Sequence, residues 1–99
     1  MTHLSHSPVR AKGGELCYWC GQVLLPTGTQ LNDGHAHPLA GTRDHLVPRF
    51  LGGTDHHNNL VLACYTCNSM RGHMTVYAWR KRLKYLQSIG KIQHGKNRL

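Results

Sequence analysis

The sequence predicts a small α+β domain that is stabilised by a bound metal ion and followed by an amphipathic basic helix. At 99 residues the chain is expected to form one domain with a thin core, and such chains often need a metal or disulfides. Its four cysteines occur as two Cys-x-x-Cys pairs, which favours a metal. Short apolar segments suit strands, and apolar residues recur at helical spacing in the last third.

The domain is expected to span residues 15–90. Residues 1–14 are polar, contain three Gly or Pro residues and show no periodicity, so they are predicted to form a flexible arm. Residues 91–99 follow a glycine, carry three basic side chains and are predicted to form a mobile basic tail.

Two short strands and a helix are predicted in the middle of the chain. Residues 39–47 can form the first strand, and the apolar run at residues 60–63 the second. The segments at 26–38 and 49–58 are rich in Gly, Asn and Asp or Pro, so each is expected to be a loop, the former with a weak hairpin as an alternative. Residues 64–72 are expected to run from a metal-binding turn into a helix.

A second helix is the clearest element of the pattern. Thr75 can cap its start, and Gly90 is a suitable stop. The apolar positions at 3.6-residue spacing are Val76, Trp79, Leu83 and Leu86, which are assigned to the core. The basic positions on another face are Arg80, Lys81 and Lys84. This basic face is either a DNA contact or an ordinary solvated surface.

The cysteine pairs predict a closed zinc site formed by Cys17, Cys20, Cys64 and Cys67. Zn²⁺ binds four thiolates tetrahedrally, and a site with four protein ligands has no open position, so this Zn²⁺ would be structural. The stretch between Cys20 and Cys64 is longer than the roughly 15–20 residues of a compact zinc ribbon. The residues between the pairs are therefore expected to be an inserted unit held at its base by the metal.

The charge balance predicts a polyanionic partner. Twelve Lys and Arg oppose only four acids, which gives a net charge of +8, and no acid follows Asp55. Such a field attracts nucleic acid, although a solubilising surface is the simpler alternative. Residues 1–16 hold no apolar signal core and no run suits a membrane span, so a cytoplasmic protein without membrane contact is expected.

The inserted unit carries a motif in a specific order. Asp-His at 44–45 precedes Pro48 and Gly-Gly, and Asn-Leu at 59–60 then precedes Cys-x-x-Cys-Asn and Arg71-Gly72. This pattern resembles the HNH nuclease family, and with the first Cys-x-x-Cys pair the resemblance covers about residues 16–73. The resemblance implies a ββα-metal (His-Me finger) fold, in which two strands and a helix hold one divalent ion. It also implies hydrolysis of DNA phosphodiester bonds to 5′-phosphate and 3′-hydroxyl ends.

The motif residues have distinct candidate roles. A neutral imidazole can take a proton from water, so His45 is the candidate general base. Asp44 is the candidate carboxylate ligand for a hard cation. The resemblance implies that Asn68 is the second ligand, in an HNN variant where many relatives have His, and that Asn59 ties the loop to the strand. Oxygen ligands favour Mg²⁺ or Mn²⁺, with other divalent ions open.

Substrate contacts are assigned to basic residues near the motif. Arg71 matches a basic position of the family and is expected to hold the scissile phosphate, and Arg49 is a second phosphate candidate. His73 is a candidate for an extra ligand or a phosphate contact. Asp55 is assigned to the loop without a function.

Three hypotheses remain open from the sequence. The first is a metal-dependent DNA endonuclease of low sequence specificity. The second is a non-catalytic, zinc-stabilised nucleic-acid-binding module, and the third is a structural protein whose basic helix docks on an acidic partner. Small free-standing proteins of this kind resemble those of bacteriophages and mobile elements, which implies DNA-packaging or other DNA-processing partners in a host cytoplasm.

Overall fold

Two antiparallel strands and two helices form the fold. The computed structural model describes residues 10–95. Strand β1 (Gly41–His45) pairs with strand β2 (Leu60–Cys64), helix α1 (Tyr65–Arg71) follows β2 directly, and helix α2 (Val76–Ser88) comes last. The predicted α+β class is therefore confirmed, with the strand, loop, strand and helix in the expected order.

The strand pair places the motif at one end of the sheet. In the register of the two strands, Asp44 lies opposite Val61 and His45 lies opposite Leu60. The strand is shorter than the predicted 39–47, since the backbone turns away after His45. At that point the amide of Leu46 donates to the carbonyl of Asn59 at 2.8 Å, which closes the base of the loop between the strands.

The loop between the strands is more ordered than its composition predicts. Two short 3-10 turns, Arg49–Leu51 and His57–Asn59, interrupt it. Gly52 ends the first turn in the left-handed region, with φ of 93°, which a side chain rarely adopts. A Cβ on Gly53 would overlap the carbonyl oxygen of Val47, so the backbone at this point can approach only because the residue is glycine.

Helix α2 supplies much of the core. The hydroxyl of Thr75 accepts a hydrogen bond from the amide of Ala78 at 3.2 Å, as predicted for a cap. Three of the four residues assigned to the core, Trp79, Leu83 and Leu86, are buried, and the fourth, Val76, is half-buried and packs against the core. The ring of Trp79 packs edge-on against Trp19, with the ring centroids 6.4 Å apart. Within residues 10–95, no helix is long and apolar enough to cross a membrane.

The packed unit extends beyond the predicted limits of 15–90 on both sides. Ala11 is buried and donates its amide proton to the hydroxyl of Thr27 at 2.9 Å. Ile92 is buried, and the amide of Gly95 donates to the carbonyl of Cys20 at 2.7 Å. Residues 10–14 of the predicted arm and residues 91–95 of the predicted tail are thus folded, because a small core uses every apolar residue within reach. The rest of the arm and tail, residues 1–9 and 96–99, lies outside the described residues.

Candidate active site and metal centre

The four cysteines form one buried cluster. Their sulfur atoms all lie within 4.8 Å of one another, and Sγ of Cys20 is 4.0 Å from Sγ of Cys64. Tetrahedral Zn²⁺ with Zn–S bonds of about 2.3 Å places its sulfurs about 3.8 Å apart. The cluster can therefore hold a divalent metal ion such as zinc with little rearrangement.

Backbone amides donate hydrogen bonds to two of these sulfurs, those of Cys17 and Cys64, and so favour their thiolate forms. Amides of Cys20 and Cys64 donate to Sγ of Cys17 at 3.5 and 3.3 Å, and the amide of Cys67 donates to Sγ of Cys64 at 3.4 Å. Hydrogen bonding from Cys20 lowers the pKa of the Cys17 thiol, whereas hydrogen bonding to Cys17 raises the pKa of Cys64 and Cys67. Four thiolates can coexist here only beside a cation, and this donor set suits zinc.

A second site lies where β1 ends. A cavity of about 180 Å³ brings together three of the predicted residues, Asp44, His45 and Asn68. Neighbours on a strand point to opposite sides, but the strand ends here and the chain bends directly after it, so Asp44 and His45 both reach the cavity. Its other lining residues are Arg43, Pro48, Arg49, Gly72 and His73.

Asp44 is buried and held on both oxygens. Its Oδ2 accepts a hydrogen bond from the indole of Trp19 at 2.7 Å, and its Oδ1 lies 3.1 Å from Nη1 of Arg71. A carboxylate has about four lone-pair sites, so these two contacts orient the group and leave acceptor capacity for a cation. Asp44 therefore fits the predicted part of an oxygen ligand.

Asn68 is oriented by its amide nitrogen. Nδ2 donates to the hydroxyl of Thr42 and to the carbonyl of Arg43, both at 3.0 Å, which uses both of its hydrogens. No group in residues 10–95 donates to Oδ1 of Asn68, so this oxygen is free to bind a cation. This oxygen and the carboxylate of Asp44 belong to residues that line the same cavity, and both are hard donors of the kind that suit Mg²⁺ or Mn²⁺ better than a soft ion.

His45 contacts Asp55, an acid to which the sequence assigned no function. Its Nε2 lies 2.8 Å from Oδ1 of Asp55, on the far side of the loop. The hydrogen bond with His45 lowers the pKa of Asp55, so the acid is a carboxylate at neutral pH. Asp55 is the last of only four acids in the chain, and that scarcity was the available signal.

The side chain of Asn59 makes three hydrogen bonds across the loop between the strands. Its Oδ1 accepts from the amide of Val47 at 2.9 Å, and its Nδ2 donates to the carbonyls of Val47 and Thr54 at 3.2 and 2.9 Å. The side chain thus ties the start of the loop to its second half.

Arg71 was predicted to hold the scissile phosphate, but its side chain is buried in the fold. Its side chain is 1% exposed, and it donates to the carbonyls of His45, Leu46 and Met74 at 2.7–3.0 Å in addition to its ion pair with Asp44. A guanidinium enclosed in this way is not available to a phosphate. The prediction failed because sequence shows the charge of a side chain but not its burial. The exposed guanidiniums at the cavity belong to Arg43 and Arg49.

We expect Arg71→Met to lower the free energy of unfolding by about 3–5 kcal/mol, because it leaves Asp44 buried without its cation. Chemical denaturation of the zinc-loaded protein measures this. Lys91→Met is the control at an exposed position and should change stability by less than about 0.5 kcal/mol. Normal stability with weakened DNA binding in Arg71→Met would instead support the phosphate contact.

The basic face of α2 borders a separate groove of about 470 Å³. The predicted nucleic-acid contacts Arg80, Lys81 and Lys84 all line it. The guanidinium of Arg80 lies 5.3 Å from the ring centroid of Trp19, whose indole bonds Asp44. Trp19 thus lines the groove and also hydrogen-bonds Asp44, a residue of the cavity.

The family is shown by comparison with known proteins. The family model described as HNH endonuclease matches residues 17–84, which is more than half of the chain. The protein therefore belongs to the HNH endonuclease family, and membership suggests nuclease activity that depends on a divalent metal. No curated protein matches the chain.

Proposed function

We propose that this protein is a divalent-metal-dependent endonuclease that hydrolyses DNA phosphodiester bonds with low sequence specificity. The observation that carries the proposal is one cavity lined by a histidine, a buried aspartate and an asparagine together with two exposed arginines. A nucleic-acid-binding module without activity has no need for the first three groups together.

Two metals with different tasks are part of the proposal. Structural zinc held by the four cysteines stabilises the base of the fold. Asp44 and Asn68 hold Mg²⁺ or Mn²⁺ in the cavity. When bound, this second ion supplies Lewis acidity, which stabilises negative charge on the phosphate and on the departing 3′-oxygen.

His45 performs the proton transfer. Its imidazole takes a proton from a water molecule, and the water oxygen forms a bond to phosphorus in line with the leaving group. The bond from phosphorus to the 3′-oxygen breaks, and the departing oxygen takes up a proton from solvent water, which leaves a 5′-phosphate and a 3′-hydroxyl. Trp19 and Arg71 keep Asp44 in place throughout, because their contacts fix both of its oxygens.

Substrate binding is assigned to exposed basic groups. Arg43 and Arg49 at the cavity contact the scissile phosphate and its neighbour, and His73, which also lines the cavity, makes a phosphate contact or adds a metal ligand. The basic face of α2 contacts the backbone further along. Contacts to phosphates carry no sequence information, which is the reason for the low specificity.

Supercoiled plasmid DNA tests this function. We expect nicked or linear products with Mg²⁺ or Mn²⁺ and none when EDTA is present from the start, and the products should be ligatable because they carry 5′-phosphates. Binding that weakens steeply with salt but never leads to cutting would favour the non-catalytic module instead.

A further inference from the structure

One acid on the loop contacts both the candidate base and an arginine of the cavity. Oδ1 of Asp55 lies 2.8 Å from Nε2 of His45 and 2.9 Å from Nη2 of Arg49. The three side chains belong to different parts of the chain: the end of β1, the first 3-10 turn and the following loop. Oδ1 of Asp55 therefore links the candidate base, His45, to Arg49 in the wall of the cavity.

The chemistry of the pair determines which nitrogen of His45 is basic. A carboxylate can only accept a hydrogen bond, so Nε2 of the neutral imidazole must carry the hydrogen that it shares with Asp55. The lone pair is then on Nδ1, to which no group in residues 10–95 donates. Without an acceptor at Nε2 the ring could exchange tautomers and rotate.

We propose that Asp55 is the positioning residue of the general base, holding His45 as the Nε2–H tautomer so that Nδ1 takes the proton from water. This inference rests on the proposed nuclease function. As the proton arrives on Nδ1, the imidazolium that forms faces the negative charge of Asp55. The same logic applies to hydrolases in which an acid orients a histidine through its second nitrogen.

The backbone around Asp55 is held although its side chain is 66% exposed. The carbonyl of Thr54, the preceding residue, accepts from Nδ2 of Asn59 at 2.9 Å. The amide of Gly53 donates to the carbonyl of Pro48 at 3.0 Å, at the close approach that only glycine permits. Asn59 therefore acts on the base through Asp55: it fixes the loop segment that presents the carboxylate.

The test compares Asp55→Ala and Asp55→Asn with a control variant in a similar Asp–His pair on another loop. Asp33→Ala is the control, because Asp33 is an equally exposed acid whose Oδ1 lies 3.1 Å from Nδ1 of His35 on another loop. We expect Asp55→Ala to lower kcat for plasmid nicking by about 10- to 100-fold. KM and Tm should change little, Asp55→Asn should recover part of the rate through its amide oxygen, and Asp33→Ala should match wild type.

A second measurement does not depend on cleavage. Nitrogen-15 NMR of the zinc-loaded protein, at a pH where histidine is neutral, should show His45 as the Nε2–H tautomer in wild type and a mixture in Asp55→Ala. An unchanged tautomer, an unchanged kcat, or a loss that appears in KM alone would overturn the positioning role. If wild type shows the tautomer but cuts no DNA, the nuclease function fails and the catalytic part of this inference fails with it, whereas the pairing stands.

Discussion

Replacing His45 with alanine should abolish most of the cleavage and leave DNA binding intact. General acid–base groups contribute about 100- to 10,000-fold to rates, so we expect a loss of kcat in that range. The side chain of His45 is 22% exposed at the edge of the sheet and lies outside the core cluster, so its removal should cost little stability. The arginines proposed to bind phosphate and the two ligands of the second metal are all retained in this variant.

The control for this variant is His35→Ala. His35 is 82% exposed and pairs with an aspartate, as His45 does, but it lies on a loop that does not line the cavity. Plasmid nicking under single-turnover conditions and fluorescence anisotropy with labelled DNA separate the rate from the affinity. Cleavage by His45→Ala at the rate of His35→Ala would remove His45 from the mechanism.

Local patterns were sufficient for most of the fold and for much of the candidate site. The apolar run of β2, the spacing of Trp79, Leu83 and Leu86, and the cap at Thr75 depend on residues close in sequence, and the structure agrees with each. The cysteine pairs could be predicted equally well, since ligand spacing within a Cys-x-x-Cys turn is also local. The meeting of Asp44, His45 and Asn68 followed from the family pattern rather than from propensity.

Contacts between residues that are distant in sequence could not be predicted from local patterns. Trp19 bonds Asp44 across 25 positions, and Arg71 reaches the end of β1 across a similar distance. Its charge and its match to a basic position of the family made Arg71 a candidate phosphate ligand, and only its burial shows that it supports Asp44 instead. Asp55 was assigned to the loop without a function. Nothing in a Gly-rich polar segment indicates which side chain turns back towards the strand.

The limits of the packed unit were missed because they depend on single apolar residues. Ala11 and Ile92 lie in short, mainly polar segments, so no extended periodicity marks them. Each nevertheless belongs to the core cluster. In a chain this short, one buried residue at each end is a substantial fraction of the core, so truncation at 15 or 90 should destabilise the domain.

Removing the ion proposed for the four-cysteine cluster should unfold the domain. Structural Zn²⁺ contributes about 10–16 kcal/mol in zinc-finger peptides, which is comparable to the roughly 5–15 kcal/mol by which domains are usually stable. All four cysteines are in the core cluster, and Cys64 both ends β2 and caps α1, so loss of the metal would affect the strand and the helix of the motif together. We expect phenanthroline treatment or Cys67→Ser to abolish the helical circular dichroism and the cooperative melt.

Asn68→Ala is the matched control, because it removes a ligand of the proposed catalytic ion and leaves every cysteine in place. It should retain one equivalent of zinc and melt as wild type does within a few degrees, yet lose cleavage. Added Mg²⁺ should not refold the zinc-stripped protein, since four thiolates are poor ligands for a hard cation. A metal-stripped protein that keeps its helical signal and melts sharply would show that the core alone holds this fold, and the cysteine cluster would then need another explanation.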